Sequence, residues 1–153
     1  HSSAALYVAG RAHEMDGRWG QGAAAYARAL ALEPGLAAAR RGRAECLSAE
    51  KRETEALVAL GNGDARGGAS PADALRAAWR RLCRADAPGG EAVRACVLGG
   101  ETDRAARALA NAVEARWPFV VFVPRDAMLE PLGDRPAFRA ILDRLEPERA
   151  PAG

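Results

Sequence analysis

Apolar residues recur at helical spacing from the start of the chain. A first helix is predicted over residues 3–15, because four positions on one face follow the i, i+3, i+4, i+7 spacing: Leu6, Ala9, Gly10 and His13. Asp16 and Gly17 then predict a turn, since glycine readily takes the left-handed conformation after a helix end. A second helix is predicted over residues 19–32, where Pro34 and Gly35 stop it. Its inner face carries Ala23, Tyr26, Ala29 and Leu30.

The same phase continues into a second, weaker pair of helices. Ala44 and Leu47 take the small and bulky positions of its first helix, and Ala56 and Leu60 take those of its second. The N-terminal repeats are therefore predicted over residues 3–62. The polar, glycine-rich stretch GNGDARGGASP follows and predicts a loop over residues 63–72.

Residues 73–116 predict further helical hairpins. The segment after Pro71 is amphipathic, and one side of it carries Leu75, Ala78, Trp79 and Leu82. Residues 91–116 predict another pair of helices, which Gly99 and Gly100 separate. The second helix of that pair has an inner stripe of Ala105, Leu109, Ala112 and Val113. Because one helix pair cannot bury its apolar face alone, we expect the hairpins to stack.

The C-terminal part, residues 117–148, departs from this rhythm. Trp117 and Pro118 end the preceding helix, and the run FVVFV that follows fits either a short helical segment or an extended one. A last helix is predicted over residues 136–145, with an apolar stripe of Phe138, Ile141, Leu142 and Leu145. We expect this part to be a cap that closes the exposed end of the stack.

Composition favours an all-α fold in a single domain over residues 1–153. Hydrophobic residues make up 49% of the chain and aromatic residues only 5%, so alanine supplies much of the apolar surface. Alanine has the best helix propensity and lets helices approach closely. No run of about 18 apolar residues occurs, so we expect no membrane insertion.

The cysteines bear on the compartment. Cys46, Cys83 and Cys96 are odd in number and lack C-x-x-C spacing, which favours packing as small apolar side chains over metal ligation or bridging. A reducing compartment follows, and we expect a cytoplasmic protein. Cys83 and Cys96 lie on successive predicted helices, so a bridge between these two stays open.

The first two helices resemble a tetratricopeptide repeat, whose pattern reads W-x2-L-G-x2-Y, then A-x3-F, then P over roughly 34 residues. The positions that carry the resemblance are Leu6, Ala9, Gly10, His13, Trp19, Gly22, Tyr26, Ala29 and Pro34. The stretch over residues 100–145 is similar to the last repeat and cap of such arrays in bacterial multi-domain regulators. The resemblance implies a short α-solenoid of helical hairpins with a C-terminal capping segment.

In that family the first helix of each pair lines a concave binding surface. The resemblance therefore implies a partner-binding face made of Tyr7, Arg11, Glu14, Arg41 and Glu45. Arg11 and Arg41 would meet a carboxylate of a bound peptide. The alternative is that they form exposed ion pairs with Glu14 and Glu45, worth at most about 1 kcal/mol each.

Candidate chemistry is sparse. The formal charge is +2, with 22 basic against 20 acidic residues, so no strong field points to nucleic acid. No nucleophile has a base at a recognisable spacing, and His13 has no second metal ligand at i+3 or i+4. We therefore expect no catalysis, no metal, no cofactor and no small-molecule substrate.

The sequence thus predicts a non-catalytic protein–protein interaction module, taken from a larger bacterial regulatory or signalling protein, whose partner is another protein or peptide segment. An alternative is an accessory domain packed on the catalytic part of an enzyme such as a protein kinase. A third, weaker reading is nucleic-acid binding through a stripe of Arg76, Arg80, Arg81 and Arg84.

Overall fold

The chain is helical throughout the part that a computed structural model describes, which is residues 2–61, 68–85 and 90–145. Eight α-helices follow in order: α1 Ser3–Met15, α2 Trp19–Leu32, α3 Ala37–Ala49, α4 Glu53–Ala59, α5 Pro71–Ala85, α6 Gly90–Leu98, α7 Thr102–Glu114 and α8 Pro136–Leu145. Two 3₁₀ helices, Pro118–Arg125 and Ala127–Leu132, stand between α7 and α8. The prediction of an all-α fold is confirmed, and neighbouring helices pack on one another.

The first four helices repeat with a fixed period. Both ends of α3 follow the corresponding ends of α1 by 34 residues, and α4 begins 34 residues after α2. The turns repeat as well, because each closes on a residue in the left-handed region, Gly17 at φ 72° and Lys51 at φ 61°. In each turn the amide that follows this residue donates to a carbonyl five residues back, from Arg18 to His13 and from Arg52 to Leu47. The turn between α6 and α7 has the same two features at Gly100 and Glu101.

Tyr26 on α2 fills the space between α1 and α3. Its side chain is completely buried, and its ring lies against two glycines, Gly10 on α1 and Gly42 on α3. A Cβ atom at Gly10 would lie 2.7 Å from the nearest ring carbon, and one at Gly42 would lie closer still. Gly22 on α2 similarly faces the thiol of Cys46, which a Cβ atom would approach to 2.9 Å. The glycines therefore set the spacing of the first three helices.

The other residues of the repeat pattern differ in burial. Leu6 and Ala29 are buried in the core, whereas Ala9, His13 and Trp19 are half-buried and Pro34 is exposed. Ala29 is 0% exposed and belongs, like Tyr26, to the inner face of α2.

For the three cysteines the sequence favours apolar packing and leaves a bridge between Cys83 and Cys96 open. Cys83 on α5 and Cys96 on α6 form a disulfide bond with a Cα–Cα distance of 4.8 Å, while Cys46 is a free, buried thiol. The apolar-packing prediction is therefore wrong for two of the three, because the antiparallel approach of α5 and α6 brings two side chains 13 residues apart into contact. The compartment stays a prediction from the sequence.

The loop predicted over residues 63–72 differs at its end, since α5 already begins at Pro71. Residues 62–67, which include the first half of that loop, lie outside the described residues, and so do residues 146–148 of the predicted cap. None of the described helices is long and apolar enough to cross a membrane.

The segment after α7 contacts the first helix of the chain as well as the helices that precede it. Residues 117–132, here called the cap segment, take the helical alternative as two 3₁₀ helices. The second of these packs on α6 and α7 and also contacts α1. A Cβ atom at Gly17, after α1, would lie 3.3 Å from the Cβ of Ala127. The cap segment therefore folds back against the first helix, and its role as the cap of a stack stays a prediction.

Candidate functional site

A cavity of about 560 Å³ lies between α1, α6, α7 and the cap segment. Its wall is mostly apolar, and its apolar members include Tyr7, Val8, Met15, Leu109, Trp117 and Phe122. Val8 is 64% exposed and Phe122 is 46% exposed, so apolar surface extends from the cavity to solvent. Two segments far apart in the sequence, the first helix and the cap segment, thus form one site.

The five residues predicted to bind a partner meet on the inner side of α1 and α3, but they differ in accessibility. Tyr7, Arg11 and Arg41 are half-buried, whereas Glu14 and Glu45 are 0% and 1% exposed. The two glutamates therefore lie behind the surface, where a partner cannot touch them. The ion pairs of the alternative hypothesis, Arg11 with Glu14 and Arg41 with Glu45, are present, but they are buried rather than exposed.

Glu14 is the centre of a buried network. Its Oε2 accepts a hydrogen bond from Nη1 of Arg11 at 2.7 Å and another from the hydroxyl of Tyr26 at 2.7 Å. Arg11 itself lines the cavity. Because Glu14 and Tyr26 are held by the packing of α1 against α2, the guanidinium of Arg11 is fixed at the cavity wall.

Glu45 forms a carboxyl pair with Glu14. The pKa of Glu45 is raised well above its ordinary value, first by burial and then by the charge of Glu14 and the hydrogen bond between the two side chains. Glu45 therefore holds its proton more strongly than an exposed glutamate does. Burial and the charge of Glu14 also raise the pKa of the Tyr26 hydroxyl.

Arg41 faces away from the cavity and belongs to the interior of the helix stack. Its Nη2 donates a hydrogen bond of 2.9 Å to the carbonyl of Glu91 on α6, and its Nε lies 3.5 Å from Oε1 of Glu45. Its guanidinium carbon lies 5.7 Å from the ring centroid of Trp79 on α5, a cation–π distance. The structure therefore separates Arg41 from Arg11, and only Arg11 is on the cavity wall.

Arg94 on α6 is a site residue that the sequence reasoning missed. It lines the cavity, and its side chain is only 8% exposed. Both Nε and Nη2 lie 3.5 Å from Oδ2 of Asp126 in the cap segment, and Nε has no hydrogen-bond acceptor among the described residues. One signal was available, since Arg94 is a single charged residue within an otherwise apolar stretch of α6.

Asp126 joins the cap segment to α6. Its Oδ1 accepts a hydrogen bond of 3.0 Å from the amide of Met128 and so caps the second 3₁₀ helix. Burial raises the pKa of Asp126, while the Met128 amide and the charge of Arg11 act in the opposite direction. The cavity wall therefore combines apolar surface with charged side chains, among which Arg11 and Arg94 are paired with the carboxylates of Glu14 and Asp126.

The arginine stripe on α5 is partly occupied by contacts within the chain. Nε of Arg80 donates to the carbonyl of Gly99 at 2.8 Å, and both Arg80 and Arg84 lie 3.7 Å from Glu101. Within the described ranges no group of histidine, cysteine or acidic residues is arranged to hold a metal ion.

Comparison with protein-family models, with curated proteins and with solved structures gave no match for this chain. The resemblance to tetratricopeptide repeats therefore stays a prediction from the sequence.

Proposed function

We propose that this chain is a non-catalytic interaction module, and that the cavity between α1 and the cap segment receives a large apolar side chain of a partner protein. In this proposal the module is a short tetratricopeptide-like array of helical hairpins whose cap segment completes the binding site. The cavity itself is the observation that carries the proposal.

The repeated geometry of the first four helices supports the array. The 34-residue offset between α1 and α3 and the matching turns at Gly17 and Lys51 are typical of hairpins that stack with a constant rotation. Such stacking gives the inner helices one common face, and Tyr7 and Arg11 of α1 lie on it.

The size and chemistry of the cavity support binding. Ligand pockets usually enclose about 300–1,000 Å³ and combine apolar walls with a few fixed polar groups. The cavity of about 560 Å³ has this composition, and its rim includes the exposed side chain of Val8. Aromatic side chains such as Tyr7, Trp117 and Phe122 are enriched at the contact surfaces of proteins. Because Glu14 and Tyr26 hold Arg11, little order has to be gained when a partner binds.

Selection from a displayed library of random peptides tests this proposal. We expect enrichment of peptides with a phenylalanine, tryptophan or leucine anchor. The affinity of these peptides for a Val8→Glu variant should be lower by about tenfold or more, because a buried apolar contact is worth about 1.5–3 kcal/mol.

Val58→Glu is the matched control. Val58 on α4 is 64% exposed, as is Val8, and does not line the cavity. The selected peptides should bind this variant like the wild type. Peptides that bind Val8→Glu as tightly as the wild type, or a library that yields no enrichment, would refute the proposed site.

A further inference from the structure

We propose that the cavity between α1 and the cap segment also binds a small apolar monocarboxylate, whose carboxylate pairs with Arg94 and whose hydrocarbon part lies against the apolar wall. Binding of this ligand is independent of the proposed function. Only its consequence, competition with the partner's side chain, rests on that function.

The state of Arg94 is the first argument. An arginine that is 8% exposed should have close hydrogen-bonded partners, because an uncompensated buried charge is costly. Its contacts with Asp126 are both 3.5 Å long, and its Nε lacks an acceptor among the described residues. Charge-assisted pairs are normally about 2.7–2.9 Å long. Arg94 thus lines the cavity with only long contacts to Asp126, and a ligand carboxylate in the cavity would give its guanidinium a closer partner.

Asp126 cannot improve this pairing from its present position. Its Oδ1 is occupied by the amide of Met128, which fixes the carboxylate as a cap of the second 3₁₀ helix. Turning Asp126 toward Arg94 would break that cap. The unused donor of Arg94 is therefore a property of the local backbone and not of one side-chain rotamer.

The guanidinium of Arg94 is the second argument. It is always charged and can only donate hydrogen bonds. A carboxylate accepts two such bonds side by side, which favours an anionic ligand over a neutral or cationic one.

The rest of the wall defines the remainder of the ligand. Tyr7, Met15, Leu109 and Trp117 offer apolar contact, and Met15 adapts to different shapes because its side chain is unbranched. An alkyl or aryl carboxylic acid satisfies both the charge and the apolar surface. Phosphates and sugars lack the apolar part that this wall would contact.

Titration calorimetry with octanoate tests the inference, with octanol and octylamine as probes of the same chain length. We expect octanoate to bind the wild-type chain about tenfold or more tightly than octanol, since a hydrogen-bonded charge pair adds to the same hydrocarbon contact. Octylamine should bind more weakly than either. Equal affinities of octanoate and octanol would overturn the inference.

Two variants locate the carboxylate. Arg94→Met should lower octanoate affinity about tenfold or more and leave octanol affinity unchanged. Asp126→Asn should raise octanoate affinity, because asparagine keeps the cap on Met128 and removes the competing charge. Arg76→Met, on the exposed face of α5, is the control and should leave octanoate binding unchanged. If Arg94→Met does not fold, the Asp126→Asn variant tests the site alone. Unchanged octanoate affinity in that variant would contradict the pairing of the carboxylate with Arg94.

The two proposals fail separately. A peptide with an apolar C-terminal residue and its C-terminal amide form the third arm of the titration. Binding of the free-acid peptide without binding of octanoate would overturn the small-acid assignment and leave the proposed function standing. Octanoate binding with no peptide enrichment would refute the interaction module alone. If both hold, octanoate should displace a selected peptide from the wild-type chain.

Discussion

Replacing Gly10 by alanine tests the packing that positions α1, and with it the cavity. The new Cβ atom would lie 2.7, 2.8 and 2.9 Å from three ring carbons of Tyr26. The ring cannot move away, because its other face lies against Gly42 and its hydroxyl is bound to Glu14 at 2.7 Å. Either α1 must shift or the hydrogen bond must break.

The magnitude follows from two opposing effects. Overpacking a well-packed core costs typically about 1–3 kcal/mol. Alanine in place of glycine in a helix gains up to about 1 kcal/mol of helix propensity. Gly20→Ala on α2 is the matched control, since its Cβ atom would lie no closer than 3.4 Å to any neighbouring atom, the nearest being a carboxylate oxygen of Glu50.

Thermal and urea unfolding of both variants give the comparison. Gly20→Ala should be as stable as the wild type or slightly more stable. Gly10→Ala should unfold about 2–12 °C below Gly20→Ala, because both variants gain helix propensity and only Gly10→Ala carries the overpacking cost of about 1–3 kcal/mol, at about 2–4 °C per kcal/mol in a chain of this size. Equal unfolding temperatures for the two variants would show that Tyr26 is not enclosed between α1 and α3.

Three further predictions concern stability. The stability of the wild type should fall as the pH rises from the ordinary glutamate pKa of 4.5 through the raised pKa of Glu45, because the folded state holds the Glu45 proton more strongly than the unfolded state does, and this contribution is present in full only below 4.5. Glu45→Gln should flatten that slope in unfolding curves measured between about pH 5 and 9. Replacing Cys83 and Cys96 together by serine should lower the free energy of unfolding by about 2–4 kcal/mol, and reduction of the wild type should lower it by a similar amount. An unchanged unfolding temperature under reductant would contradict the bond. Lys51→Gly should raise the free energy of unfolding by about 0.5–1 kcal/mol, because Lys51 is held at φ 61°, where glycine has no steric cost. A loss of stability would show that the turn has another conformation.

Local features were predictable from the sequence. The bounds of α1 and α2 agree with the structure, because spacing, glycine and proline act over a few residues. The start of α8 at Pro136 was predicted for the same reason, since proline suits the first turn of a helix.

Features that depend on how distant segments meet were not predictable. Glu14 and Glu45 are polar in any hydropathy pattern, and only the closing of α1 on α3 buries them. The bond between Cys83 and Cys96 requires the antiparallel approach of α5 and α6. Arg94 becomes a site residue because the cap segment folds back toward α1, and no periodicity within α6 encodes that path.

The binding site is tested most directly by methyl NMR of the chain during titration with a peptide from the library selection. If the partner's side chain enters the cavity, we expect shifts of the methyl resonances of three residues that line it, Met15, Leu109 and Val123. The methyl resonances of Leu57 on α4, which is buried elsewhere in the core, should not shift. Saturating peptide that moves Leu57 and leaves the three cavity methyl groups unshifted would contradict the site.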